Sequence, residues 1–252
     1  MKKYYLFLTI LLLNISISAH PWKPSNYVIV DTDGGIDDMR AITMLLASPD
    51  VRVLAVIASS GVLSAENSYL KVKSLLNSYY HEGIPVGINR KSSAKLPEFK
   101  MALDTKWGDE TTITPQNVND ALGLISWVIS AEKTQITFIS LGGLTTAWRA
   151  YNEIPLFNKQ VKEILWSAEG ISDKKGFNYT IDKKAAEDML KGKIPVRIIK
   201  PAGDKEFFDK TIIEGISKIN NVYAKKISDF FRSGVADGHE FIFAATDETI
   251  PL

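Results

Sequence analysis

Apolar residues in this chain come in short unbroken runs, and between the runs they recur at helical spacing. Residues 27–30, 51–58, 84–88, 136–141, 161–166 and 196–199 are continuous, rich in Val and Ile, and read as strands. Residues 39–46, 64–79, 115–131, 144–151 and 182–191 read as helices, and 204–231 as one or two more. Strands without in/out alternation are buried on both faces. Their regular alternation with helices predicts an α/β fold: a mostly parallel central sheet with helices on both faces. Residues 89–114 are polar and irregular, and are expected to form a loop over a site. There is no internal repeat, low-complexity segment or linker.

The first twenty residues break the pattern. Lys2 and Lys3 precede an apolar run over 4–13, and the small residues Ser16, Ser18 and Ala19 follow. That order is the one found in secretory signal peptides, and the apolar stretch is too short for a comfortable membrane span. The expectation is a signal peptide over 1–19, a folded domain over 24–252, and a periplasmic or secreted location with no stable membrane span after cleavage. The alternative is an uncleaved N-terminal anchor.

Composition narrows the chemistry. A hydrophobic fraction of 45% over 252 residues is ample for a core. A formal charge of +1 gives no electrostatic footprint for nucleic acid. The absence of cysteine excludes disulfides, thiolate catalysis and cysteine zinc sites.

The most informative segment follows the first strand. Asp31, Asp33, Asp37 and Asp38 fall within eight residues, around the turn-forming pair Gly34-Gly35. Asp37 and Asp38 sit near a helix start, where carboxylates suit the helix dipole. Four acids this close repel one another unless a positive group shares the space. A hard divalent cation held by oxygen is the simplest such group. Gly142-Gly143 ends a middle strand, so both turns belong at the carboxyl edge of the sheet, where ligands of open α/β sheets bind.

The run Asp31-Thr32-Asp33-Gly34-Gly35-Ile36-Asp37-Asp38 resembles the N-terminal signature of the inosine–uridine-preferring nucleoside hydrolases, with Gly34 where that family most often has proline. Ser140-Leu141-Gly142-Gly143-Leu144-Thr145-Thr146 is similar to the family's Gly-Leu-Thr-Asn turn, with Thr146 in place of Asn. Gly176-Phe177-Asn178, ahead of Ala185-Ala186, is similar to its Ala-Glu-Phe-Asn segment, with Gly176 in place of a glutamate that binds the 5′-hydroxyl. Thr246-Asp247 stands at about the right distance for the last ligand, Thr246 replacing a His; His239-Glu240 and Asp237 are rival alignments.

The resemblance implies a Rossmann-like hydrolase that cleaves the N-glycosidic bond of a nucleoside or related riboside with a calcium-bound water. It implies Ca2+ on Asp33, Asp38, the Leu141 carbonyl and Asp247, with Asp33 also the general base. Asp37 and Asn178 would hold the sugar hydroxyls, and Asp31 would brace the loop. Trp107, Trp148 and Trp166 are candidates to stack on a base, although a tryptophan in a strand or helix is more often core. A small-molecule nucleoside and a homo-oligomer are the implied partners. Two other readings stay open. In a phosphatase of the haloacid-dehalogenase type, Asp31 would attack phosphorus and Asp33 act as acid, with Lys200 as its later lysine and the Gly203-Asp204 to Asp209 segment as its magnesium motif. The other is a catalytically impaired member that only binds a sugar or nucleoside.

Overall fold

The computed structural model describes residues 23–91, 97–109, 118–200, 210–236, 247 and 250–251. Its strands are β1 (Asn26–Thr32), β2 (Val51–Ala58), β3 (Val86–Ile88), β4 (Asn119–Asp120), β5 (Ile136–Ser140), β6 (Val161–Ser167) and β7 (Val196–Ile199). Its helices are α1 (Ile36–Ala47), α2 (Ala65–Ser78), α3 (Lys100–Asp104), α4 (Ala121–Ala131), α5 (Thr145–Glu153), α6 (Phe157–Gln160), α7 (Phe177–Ile181), α8 (Lys183–Leu190), α9 (Lys210–Ser217) and α10 (Val222–Ala236).

The strands form one sheet in the order β4-β3-β2-β1-β5-β6-β7, and every neighbouring pair is parallel. The chain steps outward from β1 to β4, then returns to place β5 on the other side of β1. The strand order therefore reverses between β1 and β5, and the crevice that binds ligands in such sheets opens there.

Side chains leave β1 on alternate faces, as strand geometry requires. Tyr27 and Ile29 join a core with Ile125 of α4, Ala147 of α5, Phe157 of α6 and Met189 of α8. Val28 and Val30 join a second core with Met39 and Ile42 of α1 and with Val72 and Leu75 of α2. Ile29 and Val30 are fully buried, and each such side chain contributes roughly 1.5–3 kcal/mol. The continuous apolar run of β1 is thus the sequence image of a strand with a core on each side.

Two expectations shift in detail. The helix read from 115 begins at Ala121, because Asn119–Asp120 pairs with β3 and the Asp120 carboxylate accepts from the Leu122 and Gly123 N–H groups. The stretch read as an irregular loop contains α3. It is tied down by Phe99 N–H donating to Val62 O at 3.0 Å and Ser64 N–H donating to the Glu98 carboxylate at 2.7 Å. The last helical stretch, expected as one or two helices, is two, α9 and α10. The segment over 1–19 lies outside the described residues. Among the described residues, no helix is long and apolar enough to cross a membrane.

Candidate active site

The end of β1 folds back on the start of α1. Thr32 Oγ1 donates to Asp38 Oδ1 at 2.5 Å and accepts from Gly34 N–H at 3.1 Å. Asp33 N–H donates to the same Asp38 oxygen at 3.1 Å. The reversal needs Gly34 at φ +87°, which proline, locked near −65°, cannot adopt. Gly35 is required for a different reason. A Cβ there would lie 2.5 Å from Asp38 Oδ2 and 2.6 Å from Asp37 Oδ1, so its bare backbone leaves room for both carboxylates.

The turn after β5 forms the facing wall. Leu141 N–H donates to Asp31 O at 2.9 Å, fastening the turn to β1. Trp166 Nε1 donates to Gly142 O at 2.9 Å, and Ser140 Oγ donates to Gly143 O at 3.1 Å. Asn178 Nδ2 donates to Leu141 O at 2.6 Å and to Ser167 O at 2.9 Å, joining α7 to the ends of β5 and β6. The Asp33 carboxylate lies between two glycine backbones: a Cβ on Gly61 would fall 2.0 Å from Asp33 Oδ2, and one on Gly142 3.0 Å from it.

Asp33, Asp37, Asp38, Leu141, Asn178 and Asp247 line one cleft of about 470 Å³, counting the space open to solvent. All six residues expected at the site therefore meet. Oxygens of Asp37, Asp38 and Asp247 come within 4.8 Å of one another. Asp37, expected only to hold sugar, belongs to this tight trio, and Asp33 sits in the same cleft beside it.

Burial pushes Asp33 well above the usual carboxylate range, and the charges of Asp38, Asp37 and Asp31 add to the effect. Burial and then the charges of Asp37 and Asp38 do the same to Asp247. Asp38 is pushed up to about 6 by burial and Asp37, while hydrogen bonds from Asp247, Thr32 and the Asp33 N–H hold it down. The bond between Asp38 and Asp247 thus favours charge on the former and a proton on the latter. Among the described residues lining the cleft there is no Lys, Arg or His. Asp33 Oδ2 is buried with no hydrogen-bond partner among the described residues. Gathered carboxylates, an orphaned oxygen and a free carbonyl lone pair on Leu141 are the donor set of a hard divalent cation, so the residues present fit Ca2+.

The tryptophans do not reach this space. Trp166 is fully buried and Trp107 is 2% exposed, stacked on Phe230 at 5.1 Å. Trp148 turns its Nε1 to Asp188 Oδ2 at 3.0 Å. Among the described residues, the aromatic side chain in the cleft is Phe177, with Phe99 set edge-on against it at 5.6 Å. Phe177 stands beside Asn178 in the sequence motif, but an isolated Phe carries no pattern that marks it as a cleft residue. Val62 and Glu169 also line the cleft and had no local signal at all. Gly176 has no room for a side chain, since a Cβ there would meet Glu169 O at 1.7 Å. Asp237, His239, Glu240 and Thr246 lie outside the described residues.

Residues 28–249 match the family described as inosine-uridine preferring nucleoside hydrolase. The chain belongs to that nucleoside hydrolase family. It is 28% identical over 185 residues to the pyrimidine-specific ribonucleoside hydrolase RihA of Escherichia coli, an alignment covering 67% of this chain and 58% of that protein. The chain thus spans little more than half the length of these curated relatives. Among solved structures it is similar to a plant nucleoside hydrolase, PpNRh1 (TM-score 0.75, 20% identity, covering 90% of this chain and 78% of the other). A purine-preferring ribonucleoside hydrolase from Gardnerella vaginalis gives a TM-score of 0.73 at 15% identity, with the same coverage. At such identities these structures speak for the fold alone. Membership in the nucleoside hydrolase family sets the phosphatase reading aside, and the geometry agrees. Its nucleophile, Asp31, is fully buried, is not among the cleft residues, and accepts a hydrogen bond from Thr146 Oγ1 at 3.1 Å. The segment 203–209 that it needed lies outside the described residues.

Proposed function

We propose that this protein hydrolyses the N-glycosidic bond of a ribonucleoside or related riboside, releasing base and sugar, with one Ca2+ in the acidic cleft. The observation that carries the proposal is the convergence of four aspartates, a main-chain carbonyl and an amide on one cleft at the β1/β5 switch point. Asp33, Asp38, Asp247 and the Leu141 carbonyl would hold the ion. When bound, Ca2+ supplies the charge that orients a water and lowers its pKa.

The remaining chemistry belongs to the side chains. Asp33 takes the proton from the attacking water; its unpartnered Oδ2 is the atom with capacity to spare. Asp37, half-buried at the mouth of the acid cluster, accepts from the ribose 2′-hydroxyl, with the Asn178 amide beside it. Both stabilise positive charge as it builds on the sugar in an oxocarbenium-like transition state. Direct attack by water inverts the anomeric centre. Phe177 offers an apolar face to sugar or base. The lysine-led apolar N-terminus supports export to the periplasm or medium.

The test is a reducing-sugar assay on inosine, uridine and other ribosides, with Ca2+ or with a chelator. Ribose release that needs Ca2+ supports the proposal. A Ca2+-dependent rise in melting temperature with no sugar released from any riboside would make the protein a binding protein instead.

A further inference from the structure

A run of buried polar side chains lies beneath the cleft and is not explained by substrate or metal contacts. Thr146 Oγ1 accepts from Asn89 Nδ2 at 2.9 Å and donates to Asp31 Oδ1 at 3.1 Å. Asn89 Oδ1 accepts from Arg149 Nη1 at 3.0 Å and from Lys91 N–H at 3.1 Å. Arg149 Nε reaches Glu153 at 3.2 Å. Asp31 and Thr146 are fully buried, Asn89 is 1% exposed and Arg149 7%.

The orientations of the amide and the hydroxyl in this run follow from their partners. A guanidinium and a backbone N–H can only donate, so the Asn89 oxygen must face them. Its NH2 then faces Thr146, whose hydroxyl has only Asp31 left to donate to. Each donor is polarised by the next, a cooperative arrangement whose members are worth more together than singly. The chain starts at a buried cation and ends on the Asp31 carboxylate.

Its endpoints explain what it holds. Asp31 grips the turn after β5 at both ends: its backbone oxygen takes Leu141 N–H, and its side chain takes Thr146. Thr146 and Arg149 are one helical turn apart on α5, so both reach the same face and clasp the Asn89 amide between them. Asn89 is fixed in turn by its own N–H, which donates to Ala58 O at 2.8 Å.

We infer that Arg149, acting through Asn89 and Thr146, is a positioning residue. It holds Asp31 against the Leu141 turn, and so sets the spacing between the Leu141 carbonyl and Asp33. The inference rests on the functional reading above. Groups behind metal ligands change metal affinity or activity by about 10–100-fold when lost, and that is the effect expected of this relay.

The experiment compares T146V, T146S, R149M and E153Q in the full chain, by calorimetric Ca2+ titration and by kcat and KM for riboside hydrolysis. T146V and R149M should weaken Ca2+ binding about 10–100-fold and lower kcat more than they raise KM. T146S, which restores the hydroxyl, should stay within about threefold of wild type on the same scale. E153Q, which touches only the exposed end, should match wild type. T146V and R149M proteins that melt earlier yet bind Ca2+ and turn over like wild type would overturn the inference. A wild type that neither binds Ca2+ nor releases sugar would sink the functional reading instead. The relay is then judged by a T146V/R149M double-mutant cycle in urea. Non-additivity beyond about twofold in the unfolding constant supports it, and additive effects overturn it.

Discussion

Replacing Asp38 with Asn should stabilise the metal-free protein at neutral pH while removing its response to Ca2+. Asp38 is fully buried, and its carboxyl is raised from an ordinary 3.8 to about 6, first by burial and then by Asp37. A group whose pKa is higher folded than unfolded stabilises the fold below the unfolded value. That contribution is lost as pH rises through the folded value. Two pH units at about 1.4 kcal/mol each put the loss near 3 kcal/mol between pH 4 and pH 7. Asn keeps an oxygen to accept from Thr32 Oγ1 and Asp33 N–H, the two partners of Asp38 Oδ1, and never ionises. The assay is urea unfolding from pH 4 to 7.5, in chelator and in excess Ca2+. In chelator, wild type should weaken more steeply than D38N as pH rises, because Asp33 and Asp247 are raised in both proteins and Asp38 only in wild type, so the variant ends as the more stable protein at pH 7. In Ca2+ at about 100 times Kd, wild type should regain about 2.7 kcal/mol, and D38N little of it. A wild type equally stable at pH 4 and pH 7 without metal, or a D38N protein weaker than wild type there, would refute the reasoning.

Other outcomes follow from the same geometry. D33N should lower kcat by about 10²–10⁴-fold, the usual worth of a general base, with the fold intact by circular dichroism. G61A places a methyl where the Asp33 carboxylate lies, and should lose activity far more than it loses melting temperature. F177A should raise KM for ribosides more than it lowers kcat, whereas W166F, behind the turn, should act through stability, by about 1–3 kcal/mol for a Gly142 carbonyl left with only the long contact from Ser140 Oγ at 3.4 Å. Mass spectrometry of the exported protein should show a new N-terminus close to Ser18 or Ala19; an intact Met1 on exported material would refute the signal reading.

Much of this was legible in the chain because it is local. Two cores, one on each face, demand unbroken apolar strands, and β2 and β7 stand where their runs do. Asp33, Asp37 and Asp38 lie on one turn, so their spacing alone carries the chemistry. Leu141, Asn178 and Asp247 were legible only through resemblance, since their meeting depends on the β1/β5 switch. What stayed hidden is what the fold assembles from distant loops. Val62 lines the cleft from the β2–α2 connection, Glu169 and Phe177 from the β6–α7 connection and the helix start it leads into, and Asn89 reaches Thr146 and Arg149 across about sixty positions. The tryptophans show the complementary case: their burial follows the usual habit of the residue, but the particular core that absorbs Trp107 and Trp166 is not visible in sequence.

The central claim is that the gathered aspartates hold a divalent cation at the place of attack. Anomalous scattering from crystals grown with Ca2+ tests it most directly. One peak per chain, within bonding distance of Asp38, Asp247 and the Leu141 carbonyl and beside Asp33, is the expected result. A map with no peak in that cleft, at Ca2+ concentrations that support riboside hydrolysis, would contradict the account.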